Sequence, residues 1–205
     1  MSEVVQALDI RRITYTVFQR QDEKREKLGK AVALTSANPG EGVTYVSRLL
    51  CVELAGDRSG RALYCTLPDL AATDIANGND VEKYCKRTVE GYWVMNSQRL
   101  NSEGRSNWDF NVLTRQARIE AIRSRFEYAI LDCEAVSGSG EVAGIASLVD
   151  GMLLVVAAGG STSKQIMYAQ KMIASSGGSL EGLVMNRRTY PIPNWIFQML
   201  RGATK

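Results

Sequence analysis

The stretch Ala33-Leu34-Thr35-Ser36-Ala37-Asn38-Pro39-Gly40-Glu41-Gly42-Val43-Thr44 decides how the rest of the chain is read. AVALTSA (31–37) is a short apolar run of small and β-branched residues bounded by turn chemistry, which predicts a buried strand. NPGEG (38–42) is turn-forming, and VTYVSRLLCVELA (43–55) has the length and pattern of a helix. A strand that passes through a glycine-containing turn straight into a helix gathers unpaired backbone N–H groups and the positive end of the helix dipole at one point. Such a point suits a phosphate.

On the N-terminal side, residues 3–20 predict an amphipathic helix, with Val4, Ala7, Leu8, Ile13 and Val17 at roughly helical intervals. The charged run 19–29 has little to bury and predicts a loop or an exposed helical end. On the C-terminal side, GDRSGR (56–61) ends the first core helix and ALYCTL (62–67) predicts a second strand. Residues 71–108 are rich in Asn, Ser, Gly and charge and show little pattern beyond a candidate strand at GYWVMN (91–96). Further on, 110–126 predicts a helix, YAILD (128–132) a strand ending in an acid, and 137–150 a loop with a short helix. GMLLVVAA (151–158) and LEGLVMN (180–186) predict strands, with a glycine-stopped helix at 163–177 between them. PIPNWIFQMLRG (191–202) predicts a last helix opened by prolines.

Strands alternating with helices imply βαβ units, and uniformly apolar strands imply helices on both faces of a mainly parallel sheet. The expected fold is a three-layer α/β sandwich forming one domain, with 1–29 as N-terminal helix and charged loop and 30–205 as core. A formal charge of +3 gives nucleic-acid binding little support. No stretch approaches the roughly 20 apolar residues of a membrane span, and the charged start does not read as a signal peptide, so a cytoplasmic location is expected. Cys51, Cys65, Cys85 and Cys133 are far apart and the chain has no histidine, which argues for buried reduced thiols and against zinc.

A Walker A loop reads G-x-x-x-x-G-K-[ST]. Here Ala37 replaces the first glycine, Gly42 is the second, Val43 replaces the lysine, and Thr44 keeps the magnesium-holding hydroxyl. TSANPGEGVTYVSRLLCVELA closely resembles the TSANPGEGKST…NLA stretch of bacterial tyrosine kinases (BY-kinases) and their capsular or exopolysaccharide relatives, members of the deviant Walker ATPases. Phe126–Asp132 resembles that family's "FDYVIID" Walker B strand, Val149–Val156 its "ADGVLLVV", and Leu180–Asn186 its "IxGVVLN".

The resemblance implies a P-loop NTPase fold and a nucleotide, ATP or ADP with Mg²⁺. It assigns the nucleotide to Pro39, Gly40, Glu41, Gly42, Val43, Thr44 and Tyr45, with Asn186 at the adenine, the metal to Thr44 and Asp132, and the Walker B role to Asp132. It further implies the cytoplasmic part of an inner-membrane polysaccharide chain-length or export protein as partner, and homo-oligomers, with the protein peripheral to the inner membrane through that partner.

The departures fall where chemistry would occur. Besides Val43, the second acidic motif expected within Ala62 to Leu70 is reduced to Asp69, Cys133-Glu134-Ala135 stand in place of x-P-P, and only Tyr190 remains of a C-terminal tyrosine cluster. The assembly helix E-x-x-R-x-x-R is echoed by Asp9 and Arg12, with Tyr15 in place of its last arginine. A hydrogen bond to a charged group contributes roughly 1.5–3 kcal/mol, so losing the lysine weakens nucleotide binding by about ten- to a hundredfold. Transfer of a phosphoryl group depends on positioning and charge stabilisation, and suffers more.

Each candidate also has a plain structural reading. The loop 38–44 can keep its shape without a ligand, Thr44 can cap the helix, Asp132 can cap a turn, and Asn186 can simply end a strand. Arg48, four residues after Thr44 on the same helical face, either replaces the lost charge or is an ordinary exposed or paired arginine. Lys164 and Arg187 either reach a nucleotide or are solvated. Trp195, Ile196 and Phe197 either form a partner surface or pack on the core, and the helix at 3–20 either assembles subunits or covers the sheet. The function expected is that of a catalytically degenerate pseudokinase serving exopolysaccharide synthesis. The alternatives are an active kinase or ATPase with an unusual loop, and a module for interaction alone.

Overall fold

A computed structural model describes residues 10–18, 28–56, 61–77, 80–96, 111–138 and 140–187. Residues 10–13 are helical (α1) and run into a π-helical turn, Thr14–Phe18. The core elements are β1 Lys30–Ser36, α2 Val43–Gly56, β2 Ala62–Thr66, α3 Leu67–Ala71, β3 Cys85–Arg87, β4 Trp93–Met95, α4 Val112–Arg125, β5 Tyr128–Asp132, α5 Glu141–Ile145, β6 Gly151–Ala157, α6 Ser163–Ser175 and β7 Leu180–Asn186. The predicted last helix with Trp195, Ile196 and Phe197, the charged run 19–27, and Asp9 and Tyr190 lie outside the described residues.

The seven strands form one sheet in the order β3-β4-β2-β5-β1-β6-β7, parallel except for the antiparallel β3–β4 pair. Successive side chains of a strand point to opposite faces, and each face closes its own apolar cluster. Val32, Leu34, Tyr64, Ile130 and Val155 pack with Val46, Leu50 and Leu54 of α2 and with Ile10, Val17 and Phe18. Ala33, Leu63, Cys65, Leu131 and Leu154 pack on the other face with Leu67 and Leu70 of α3, Ile119 and Ile122 of α4, Ile145 of α5 and Ile173 of α6. This is the three-layer α/β arrangement with a mainly parallel sheet.

Two features differ from the expectation. Leu67 begins a helix rather than ending a strand, because the Thr66 hydroxyl accepts from the Asp69 N–H at 3.1 Å and caps α3. The 71–108 region also contributes β3, whose three residues are half or fully exposed and so carry no apolar run. Because β1 leads to α2 and β2 on one side while β5 leads to β6 on the other, strand order reverses at β1. The C-terminal ends of β1, β5, β6 and β7 open a crevice there, where ligands of parallel sheets bind.

Candidate functional site

The loop after β1 lies in that crevice. Gly40 and Gly42 have φ of 80° and 95°, conformations that suit glycine and turn the chain sharply into α2. A side chain at Gly40 would meet nothing, so that part of the loop is open. At Gly42 an added Cβ would run into the amide nitrogen of Asn186. Pro39 and Gly40 are exposed. The helix that follows has 14 residues, and its first N–H groups have no partner within the helix.

Glu41 does not face outward. The residue is 3% exposed, and its carboxylate folds beneath the loop. One oxygen accepts from the Ala157 N–H at 3.1 Å and the Ser161 hydroxyl at 2.6 Å, and the other from the Asn38 N–H at 3.0 Å. Asn38 in turn donates to Ser161 at 2.7 Å and accepts from the Gln165 amide at 3.1 Å. Asn186, at the end of β7, donates to the Glu41 carbonyl at 2.8 Å and accepts from the Arg187 N–H at 2.8 Å. The loop is therefore pinned to the ends of β6 and β7. Asn186 does reach the loop, with its amide engaged there.

The next residues diverge. Val43 is 8% exposed and joins the apolar cluster under α2. Thr44 and Tyr45 are exposed on the first turn. Arg48, one turn on, is exposed, and its guanidinium lies 5.3 Å from the ring centroid of Tyr64. Lys164 is exposed in the first turn of α6, and Arg187 is exposed with φ of 55°.

Asp132 ends β5 and is 9% exposed. The Tyr64 hydroxyl donates to its Oδ2 at 2.6 Å. Strand register explains the meeting: β2 and β5 pair with Tyr64 opposite Ile130 and Thr66 opposite Asp132, so all four point to the α2 face. Burial, and then the bond to Asp132, push the Tyr64 phenol well above its ordinary value of 10.0, so it keeps its proton. Thr66 thus occupies the position beside Asp132 on the same face. Its hydroxyl is turned to the Asp69 carboxylate at 2.7 Å, which makes Asp69 part of a helix cap. Beyond Asp132 the Cys133–Ala135 segment still tracks β1, with the Cys133 N–H on the Leu34 carbonyl at 2.9 Å and the Thr35 hydroxyl on the Glu134 carbonyl at 2.6 Å.

The cysteines are free thiols, with Cys51, Cys65 and Cys133 buried. Burial pushes all three thiols well above their ordinary value of 9.0. Burial, with Glu82 adding to it, pushes the half-buried Cys85 up to about 12.

Sequence reading missed Tyr64, Ser161 and Gln165. Tyr64 looks like one more apolar strand residue until the pairing of β2 with β5 is known. Ser161 and Gln165 carried a local signal, since Thr162 and Gln165 form a capping box that fixes the start of α6 beside the loop.

The backbone of this loop fits a phosphate group: an open glycine turn and the start of a long helix converge on one point. A magnesium ion would meet one exposed hydroxyl, Thr44, and one carboxylate already accepting a phenol, Asp132.

No family model matches the chain. Over 180 residues it is 27% identical to the tyrosine-protein kinase CpsD of Streptococcus agalactiae, covering 78% of this chain and 76% of that protein. The kinase domain of the Escherichia coli tyrosine kinase ETK superposes with a TM-score of 0.70 at 18% identity, over 91% of this chain and 79% of that one. A cobyrinic acid a,c-diamide synthase from Mycobacterium smegmatis, solved with ADP and magnesium, superposes with a TM-score of 0.58 at 13% identity, over 86% of this chain and 82% of that one.

Proposed function

We propose that the chain, similar to the tyrosine-protein kinase CpsD in sequence and to the ETK kinase domain in fold, is a catalytically degenerate member of the bacterial tyrosine kinase (BY-kinase) type of P-loop ATPases that regulates or scaffolds capsule or exopolysaccharide synthesis. In this reading it is cytoplasmic and reaches the inner membrane through the cytoplasmic part of a polysaccharide chain-length or export protein. It holds ATP or ADP weakly, by the backbone of residues 39–45 and the start of α2. The observation that carries the reading is Val43. At the lysine position stands an aliphatic side chain that packs into the core, 8% exposed, and offers a phosphate nothing.

Its energetic meaning follows from the fold. Backbone N–H groups and the helix dipole do not depend on side-chain identity, so a phosphate can still be received. Charge stabilisation during transfer does depend on it, and here the lysine is gone, Thr66 stands beside Asp132 where an acid would help, and Asp132 is engaged by Tyr64. Binding thus outlasts chemistry.

The test is calorimetry with ADP and ATP alongside a phosphate-release assay, with CpsD as the intact reference. Binding about ten- to a hundredfold weaker than the reference, without turnover above background, is the expected result. Hydrolysis or tyrosine phosphorylation at the reference rate would overturn it.

A further inference from the structure

We propose that this site takes the phosphates of a nucleoside di- or triphosphate without a divalent metal, with the Tyr64 hydroxyl on Asp132 where a magnesium shell would have to be received and the Arg48 guanidinium as the cation. The inference rests on the reading above that the loop holds a nucleotide, and specifies how.

Three observations carry it. First, Asp132 is engaged. A phenol 2.6 Å from a carboxylate oxygen is a short charge-assisted hydrogen bond, and both partners lie inside, Tyr64 4% and Asp132 9% exposed. Magnesium parts with its waters reluctantly and usually reaches a carboxylate with part of its shell in place. Such a shell needs the carboxylate oxygen that the Tyr64 hydroxyl already engages. Second, the phenol helps the phosphates directly. A bare carboxylate beside a polyphosphate repels it, and a permanent hydrogen-bond donor on that carboxylate disperses its charge. Third, a cation is at hand. Arg48 is exposed one helical turn beyond Thr44, on the same helical face, and among the described residues no carboxylate lies within ion-pair distance of it. The Tyr64 ring beneath its guanidinium orients it, and a planar fork of donors suits phosphate oxygens.

Tyr64 therefore links the two halves of the substitute, one end on the acid and one face under the arginine. All three side chains are set by features already described, the parity of β2 and β5 and the turn spacing of α2.

Calorimetry of the full chain with ADP and with ATP, in magnesium buffer and in EDTA, decides the matter. The expected dissociation constants in the two buffers agree within about twofold, because the metal contributes nothing. Arg48→Gln, at an exposed position and checked for folding by circular dichroism, is expected to weaken binding about tenfold in both buffers. Tyr64→Phe, checked for folding by circular dichroism, frees Asp132 and is expected to make binding at least about fivefold tighter with magnesium than without. Wild-type binding that falls tenfold or more in EDTA would overturn the metal-free site while leaving nucleotide binding intact. Absence of heat in both buffers would overturn the nucleotide reading and this inference together, and binding of inorganic phosphate as tight as that of ADP would overturn the assignment to a nucleotide.

Discussion

Two walls flank the start of α2, one on each side of β1. The wall at the ends of β6 and β7 is polar and closed upon itself: Glu41, Asn38, Ser161, Gln165 and Asn186 hold one another and the loop. The wall at the ends of β2 and β5 is where charge would act on a ligand, and its positions hold Val43, Thr66 and a phenol-bound Asp132. The first wall fixes backbone shape and needs no ligand to be satisfied. The second would be satisfied by a ligand, and has instead become satisfied by itself. Shape and chemistry at a phosphate loop are thus maintained by different residues, and one can persist when the other is replaced.

Breaking the first wall is expected to cost the most. Glu41→Ala leaves the Ala157 and Asn38 N–H groups and the Ser161 hydroxyl without their acceptor, a loss of about 2–4 kcal/mol. A urea melt measures it, and Glu41→Gln, which keeps an accepting oxygen, should recover part. A loss below the resolution of the melt would mean that the buried carboxylate does not hold the loop.

Gly42→Ala comes next, at about 1–3 kcal/mol, for two separable reasons: a φ of 95° and a collision with the Asn186 amide. Removing that amide with Asn186→Ala relieves the collision and not the backbone strain. A double-mutant cycle should therefore show the pair less destabilised than the sum of its parts. Strict additivity would show that Asn186 is no neighbour of this loop.

How much of this was legible beforehand depended on whether the signal was local. β1, β5 and β6 are continuous apolar runs buried by helices on both faces, β7 is an edge strand with Glu181, Leu183 and Met185 exposed, and the sequence boundaries of all four agree with the structure to within a residue. β4 falls inside the candidate strand read at 91–96, whereas β3, at the sheet edge, has three half or fully exposed residues and carries no apolar alternation. The loop was readable because strand, glycine turn and helix start are contiguous in sequence. The second wall was not, because Tyr64 and Asp132 are 68 residues apart and meet only through the β2–β5 register. Glu41 was placed in the right loop, while its inward turn rests on Ala157 and Ser161, more than a hundred residues away.

On the second wall, Tyr64→Phe is expected to cost about 1–2 kcal/mol at neutral pH, since Asp132 loses a donor while buried. The pH dependence has a definite sign. The phenol is raised in the folded protein above its ordinary value of 10.0, so the unfolded chain loses that proton first and stability falls as pH rises past 10. The buried thiols push stability the same way in wild type and variant alike and cancel from the difference. The advantage of wild type over Tyr64→Phe should therefore shrink by about 1.4 kcal/mol for each pH unit above 10, read from paired chemical melts. An advantage that grew with pH would mean that Asp132 and Tyr64 are not bonded.

The smallest effect is also the sharpest test of the contrast between the walls. Val43→Lys restores the residue type that a Walker A loop carries, on a backbone the first wall still holds in shape. A lysine there can snorkel out of the apolar cluster by its own stem and place its ammonium at the loop mouth. Nucleotide binding should tighten about tenfold, or about 1.4 kcal/mol, in calorimetry. Turnover should not return with it, because Thr66 still stands beside Asp132 and the phenol still engages that carboxylate. Only a chain altered on both α2 and β2, with Val43→Lys, Tyr64→Phe and Thr66→Asp together, would present a cation and two acids to the same phosphate. If Val43→Lys alone hydrolyses ATP, the second wall was never disabled and a single missing charge accounts for the difference between this loop and an active one.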